Sequence, residues 1–205
     1  MVRVFVGFFV TKRIQEAVEK IQVQSEGFIR GKWVEPQNFH MTFQFIGEVE
    51  QEKLIDLLKS LQEKAKGLKP LKIKYKGLGV FPNVDRARVL WIGVADGHRQ
   101  LVDMAKSIIR ANKQAGVRDE GKPFHPHVTI CRIKEYDKKA LINLLYLKLF
   151  FYGWRGSISL CNIFYVYLTN LRFFTYLLLK VLRFYLFVAL KFDLVYNRQV
   201  LYLVY

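Results

Sequence analysis

Two tripeptides in the 205-residue chain carry the elements of a reaction: His40–Met41–Thr42 and His127–Val128–Thr129. Each joins an imidazole, able to take or give a proton near neutral pH, to a hydroxyl two residues further on. On an extended strand, residues two apart share a face and lie about 6.5–7 Å from each other. A pair of such faces suits in-line displacement at phosphorus. One imidazole takes a proton from an attacking water, and the other gives one to the leaving oxygen. The hydroxyls donate to non-bridging oxygens, whose charge grows in the transition state. This scheme calls for no metal and no cofactor. A single H-x-T is weak evidence, since a lone histidine is commonly structural or solvated; the weight lies in the repetition.

The elements that must position these residues also repeat. Val2 to Val10 is β-branched and aromatic, and reads as a strand with Thr11 as helix N-cap. Ile14, Ala17, Val18 and Ile21 follow at helical spacing, and then Phe39, Met41, Phe43 and Phe45 alternate with His40, Thr42 and Gln44. The second pass runs through the strand Arg88–Val94, a helix starting at Asp96 or Gly97 with Leu101, Val102, Ala105, Ile108 and Ile109, and the strand FHPHVTIC. Between the passes lie a helix (Leu54, Leu58, Leu61, Ala65), a strand (Leu71–Tyr75) and GLGVFPNVDRAR, which reads as a loop. The expected fold is α+β and bilobal: duplicated strand–helix–strand units, with antiparallel-rich sheets around a central cleft.

Other candidates are less determined. Arg132 is fit to hold a phosphate, yet its strand parity is opposite to His127 and Thr129, so it reaches the same face only if the strand ends or bulges there. His125 shares parity with His127, but one histidine per repeat suffices. No carboxylate or cysteine cluster completes a metal site around H-P-H. His98 reads as solvated. Trp33, Phe45, Phe81 and Trp91 are able to stack a base, with core packing the commoner fate. Lys72, Lys74 and Lys76 form a basic strand face.

KWVEPQNFHMTFQFIGEV, GLGVFPNVDRARVLWIGV and KPFHPHVTICRIK closely resemble the LigT-like branch of the two-histidine phosphoesterases, the RNA 2′,3′-cyclic phosphodiesterases also called 2′-5′ RNA ligases. The resemblance runs from about Met1 to Leu145. It implies hydrolysis of a terminal 2′,3′-cyclic phosphate to a 2′-phosphomonoester without metal or nucleotide cofactor, with 2′-5′ joining as the family's other activity. It further implies that His40 is the proton donor to the 3′ oxygen, His127 the proton acceptor that activates water, and Thr42, Thr129 and Arg132 the phosphate-binding residues. Cys131 replaces the small residue usual at its place. The implied partner is RNA with a 2′,3′-cyclic phosphate end, tRNA fragments included, bound by a monomer. The alternative is a non-catalytic RNA-binding protein on the same fold, or a membrane-associated variant inactivated by its atypical C-terminus.

Composition agrees and adds a complication. Thirty-three Lys and Arg against 17 Asp and Glu give a net charge of +16, and 52% apolar residues allow a packed core, so anionic partners are expected. Two cysteines, Cys131 and Cys161, make no disulfide framework and fit a reducing cytoplasm. The apolar start reads as a strand rather than a secretory signal. Residues 1–147 are assigned to the phosphoesterase domain. Residues 148–205 form an atypical tail, rich in Phe, Tyr and Leu, whose one acid is Asp193. Three accounts of it stay open: a shifted reading frame, a membrane-surface helix with Arg172, Lys180, Arg183 and Lys191 on one face, and degenerate final strands over Ser157–Leu168.

Overall fold

The computed structural model describes residues 2–65, 71–118, 121, 123–146 and 154–158. Seven strands and four helices follow in the order β1 (Val2–Phe9), α1 (Lys12–Gln24), β2 (Ile29–Trp33), β3 (His40–Val49), α2 (Gln51–Ala65), β4 (Leu71–Phe81), β5 (Val89–Asp96), α3 (His98–Gln114), β6 (His127–Tyr136), α4 (Lys138–Tyr146) and β7 (Trp154–Ile158). They build two antiparallel sheets, β1–β3 and β2–β6–β5–β4–β7. The α+β duplication stands: β1–α1–β3 and β5–α3–β6 are the two strand–helix–strand units. β2, although it belongs to the first pass in sequence, pairs with β6 of the second.

The helices sit where their apolar stripes direct them. Ile14, Ala17, Val18 and Ile21 of α1, and Leu101, Met104, Ala105, Ile108 and Ala111 of α3, are buried in the core together with Val4, Val6 and Phe8 of β1. In α2 the buried line is Leu54, Leu57 and Leu61. The units are tied together through buried Asn112 of α3, whose side-chain amide donates to Gln44 of β3 (2.6 Å), and through the Phe43–Phe124 ring contact at 5.6 Å. Thr11 does occupy the N-cap position of α1 but makes no side-chain cap bond. Asp137 caps α4 by accepting from the Ala140 amide at 2.7 Å.

One expectation is overturned between residues 76 and 88. GLGVF is not loop: β4 continues through it to Phe81, and only residues 82–88, with a single 3₁₀ turn at Val84–Arg86, connect to β5. The glycines serve the strand. Gly77, at φ 79°, sits in the irregularity where the pairing jumps from Tyr75↔Val94 to Leu78↔Ile92. Gly79 lies beneath the Trp91 indole, and a β-carbon there would fall 2.2 Å from its ring.

Residues 154–158, beyond the 147/148 boundary expected for the domain, pair with Leu71–Tyr75 and form the far edge of the second sheet. Leu147, Cys161, the four basic positions from Arg172 to Lys191 and the remainder of Ser157–Leu168 lie outside the described residues. Among the described residues no helix is long and apolar enough to cross a membrane.

Candidate active site

His40 and His127 each open a strand, β3 and β6, and the two strands lie against one another. Each ring is fixed in the same way. Nδ1 of His40 lies 2.6 Å from the carbonyl oxygen of Asn38, and Nδ1 of His127 lies 2.7 Å from that of His125. A carbonyl oxygen only accepts, so each Nδ1 carries the hydrogen, and each Nε2 is left to exchange a proton with a substrate. Both rings are half-buried. Burial holds both histidines below the usual histidine pKa, opposed in each case by the hydrogen bond to the carbonyl. Smaller contributions show what lies nearby. The Arg132 guanidinium also lowers His40, and the charges of His125 and His40 also lower His127. Thus His40, His127 and Arg132 share one electrostatic site although they come from opposite ends of the domain.

Arg132 arrives there because β6 bulges. Pairing with β5 runs His127↔Gly93, Val128↔Ile92 and Trp91↔Thr129, then skips Ile130 and resumes at Leu90↔Cys131 and Val89↔Arg132. Ile130 and Cys131 are consecutively buried, and the inserted residue turns Arg132 to the face of His127 and Thr129. The first unit repeats this. Pairing of β3 with β1 runs Phe9↔His40 and Gly7↔Thr42, skips Phe43, and resumes at Val6↔Gln44 and Phe5↔Phe45. Phe45, expected in line with the buried Phe39, Met41 and Phe43, is 69% exposed. The alternation fails after Phe43 because the bulge reverses it. Thr42 and Thr129 themselves are half-buried at equivalent positions, two residues from their histidines.

Aromatic rings frame both imidazoles. Phe5 stacks on His40 at 4.8 Å and Phe9 meets it edge-on at 6.2 Å, with Phe45 6.1 Å beyond Phe5. Phe81 meets His127 edge-on at 5.0 Å, Trp91 at 6.1 Å, and His125 packs against both Phe81 (5.6 Å) and Trp91 (5.0 Å). Of the four rings expected mainly in the core, only Trp33 packs against it. The Trp91 Nε1–H is buried without a hydrogen-bond partner among the described residues. Phe5, Phe9 and Gly79 escaped the sequence reading. The alternation that puts Val4, Val6 and Phe8 inside does place Phe5 and Phe9 on the other face of β1. Among the described residues no third ligand joins His125 and His127 in a metal-binding cluster. His98 is exposed, as are Lys72 and Lys76, while Lys74 pairs with Asp96 at 3.8 Å.

The family model described as LigT like Phosphoesterase matches residues 9–91 and 92–146, which takes in both H-x-T strands. The chain belongs to this family. An RNA 2′,3′-cyclic phosphodiesterase of Aquifex aeolicus is 53% identical over 146 residues, 71% of this chain and 78% of that protein. Its counterpart in Archaeoglobus fulgidus is 39% identical over 132 residues, covering 64% of this chain and 73% of its own length. A crystal structure of a Thermus thermophilus protein superposes with a TM-score of 0.58 at 27% identity, covering 66% of this chain and 76% of that one. The family model's match thus ends at residue 146, where α4 ends. In this LigT-like phosphoesterase, His40 feels the charge of Arg132 and His127 that of His40, and Thr42 and Thr129 lie two residues beyond their histidines on the same strands. Such a set has what proton transfer on both sides of a phosphate requires.

Proposed function

We propose that the protein hydrolyses the 2′,3′-cyclic phosphate at an RNA end to a 2′-phosphomonoester, without metal or cofactor; its relatives in Aquifex aeolicus and Archaeoglobus fulgidus are by name RNA 2′,3′-cyclic phosphodiesterases. The observation that carries this reading is the pair of Nδ1–H histidines on equivalent strands, each with Nε2 free for the substrate. Neutral His127 takes a proton from water as its oxygen bonds to phosphorus. The P–O3′ bond breaks, and protonated His40 delivers its Nε2 proton to the departing 3′ oxygen. Thr42, Thr129 and Arg132 hold the non-bridging oxygens, on which charge accumulates. The product leaves His127 protonated and His40 neutral, so exchange with solvent resets the pair.

Hydrolysis of a nucleoside 2′,3′-cyclic phosphate in EDTA tests this directly. Wild type is expected to turn over, and His40→Ala and His127→Ala each to lose about 10²–10⁴-fold in kcat. Full activity in either variant defeats the assignment, as does a requirement for added metal. RNA binding without turnover by wild type would instead establish the non-catalytic alternative. With a 5′-hydroxyl attacking in place of water, the same displacement breaks P–O3′ and forms a 2′-5′ phosphodiester, which is 2′-5′ joining.

A further inference from the structure

Beyond Arg132 the same face of the second sheet continues as a row of cations. Lys32 of β2 is the direct cross-strand partner of Arg132 on β6, and partners across an antiparallel ladder project from the same face. Along β6, Arg132 and Lys134 are exposed on either side of buried Ile133, with Lys134 at the bulge where the pairing with β2 skips from Gly31↔Ile133 to Arg30↔Glu135. Like charges set directly opposite are unfavourable, yet Lys32, Arg132 and Lys134 have no carboxylate partner among the described residues. The carboxylate at hand, Glu135, is taken by Arg30, its own cross-strand partner. Three uncompensated cations therefore lead away from the reacting phosphate and stop at an ion pair.

We propose that Lys32 and Lys134 bind the phosphodiester groups of the RNA chain immediately upstream of the cyclic end, making a strand rather than a mononucleotide the preferred substrate. This rests on the cyclic phosphodiesterase reading and extends it to the substrate class. Arg132 faces the reacting phosphate, and the two lysines receive the next phosphates along the chain. A nucleoside 2′,3′-cyclic phosphate has no such groups and is indifferent to them.

The test compares kcat/KM of wild type, Lys32→Ala, Lys134→Ala and the double variant on a short oligoribonucleotide ending in a 2′,3′-cyclic phosphate and on the matching nucleoside cyclic phosphate. In parallel, fluorescence anisotropy follows binding of a labelled oligoribonucleotide ending in a 2′-phosphate as salt is raised. Each single variant is expected to lose about 5-fold on the oligonucleotide and the double variant about 20-fold, mostly in KM, with the mononucleotide changed less than about 2-fold. Each lysine removed is expected to flatten the log–log salt dependence of binding by about 0.7. Equal losses on both substrates, or an unchanged oligonucleotide rate and salt slope, overturn the lysine track while leaving the hydrolase standing. Lysine-dependent oligonucleotide binding with no hydrolysis of either substrate overturns the reaction and leaves the track in place.

Discussion

The two units of this domain share a register and differ in what they hang on it. Phe5, Gly7 and Phe9 of β1 lie opposite Phe45, Thr42 and His40, and Val89, Trp91 and Gly93 of β5 lie opposite Arg132, Thr129 and His127. Each motif strand carries its bulge one residue after the threonine. Where one unit has rings flanking a glycine, the other has a large ring beside a glycine, so each histidine meets aromatic surface from a different direction. The residue released to the site face by the bulge is an apolar ring, Phe45, in one unit and a cation, Arg132, in the other. Backbone duplication fixes where a side chain enters the site; divergence of a single residue fixes whether that half is apolar or charged. Among the described residues at these two equivalent positions the permanent positive charge comes from the second unit, so the positive potential rises from Phe45 towards Arg132.

After the histidines themselves, removing the two threonine hydroxyls in turn gives the largest expected effect and tests the shared part of the comparison. Thr42→Val and Thr129→Val are each expected to lower kcat by about 10²-fold, the scale for one donor to an accumulating oxyanion charge. Steady-state kinetics on a nucleoside cyclic phosphate would show whether the halves are equivalent; a loss confined to one variant breaks the symmetry.

Arg132→Met tests the part that differs. Loss of a charge-assisted phosphate contact is expected to cost about 10–100-fold in kcat/KM, and a pH profile separates this from a change in His40. With both histidines held below the usual value, the free enzyme's kcat/KM should peak on the acid side of pH 6.5, between apparent values that belong to the pair. Neutral His127 is lost on the acid limb and protonated His40 on the alkaline limb. Arg132 lowers His40, so its removal should raise the His40 pKa and carry the alkaline limb to higher pH. Phe45→Ala, at the equivalent position, carries no charge change and should leave that limb where it is. Movement of both limbs equally, or of neither, would show that Arg132 does not act on His40 across the site.

Gly79→Ala has the smallest expected effect and bears on the frame alone. The new methyl displaces the Trp91 indole from its seat, at a cost of about 1–3 kcal/mol in stability. It also disturbs the ring that His127 and His125 pack against. A denaturant midpoint unchanged from wild type would show that Trp91 readily finds another position.

Much of this was open to a reader of the chain. The duplicated H-x-T strands, the apolar lines of α1 and α3, the Asp137 cap and the α+β class follow from periodicity and residue type, because these are local properties whose signal lies within a dozen neighbouring residues. Bulges are not local in that sense. The extra residue at Phe43 and at Ile130 has no composition of its own, and it exists only relative to a partner strand. Strict alternation consequently misassigned Phe45 to the core and left Arg132 facing away from its histidine. The glycines of β4 were misread for the same reason, since Gly79 answers to a tryptophan on the next strand rather than to a turn. The sequence alone determined which groups were available for chemistry: two imidazoles, two hydroxyls and a surplus of cations. Only the tertiary structure decided that β2 crosses to β6, which sets Lys32 beside Arg132, and which ring nitrogen of each histidine faces a substrate. Those outcomes depend on pairing between segments up to about a hundred residues apart, and pairing is settled by the packing of whole sheets rather than by any one residue's preference.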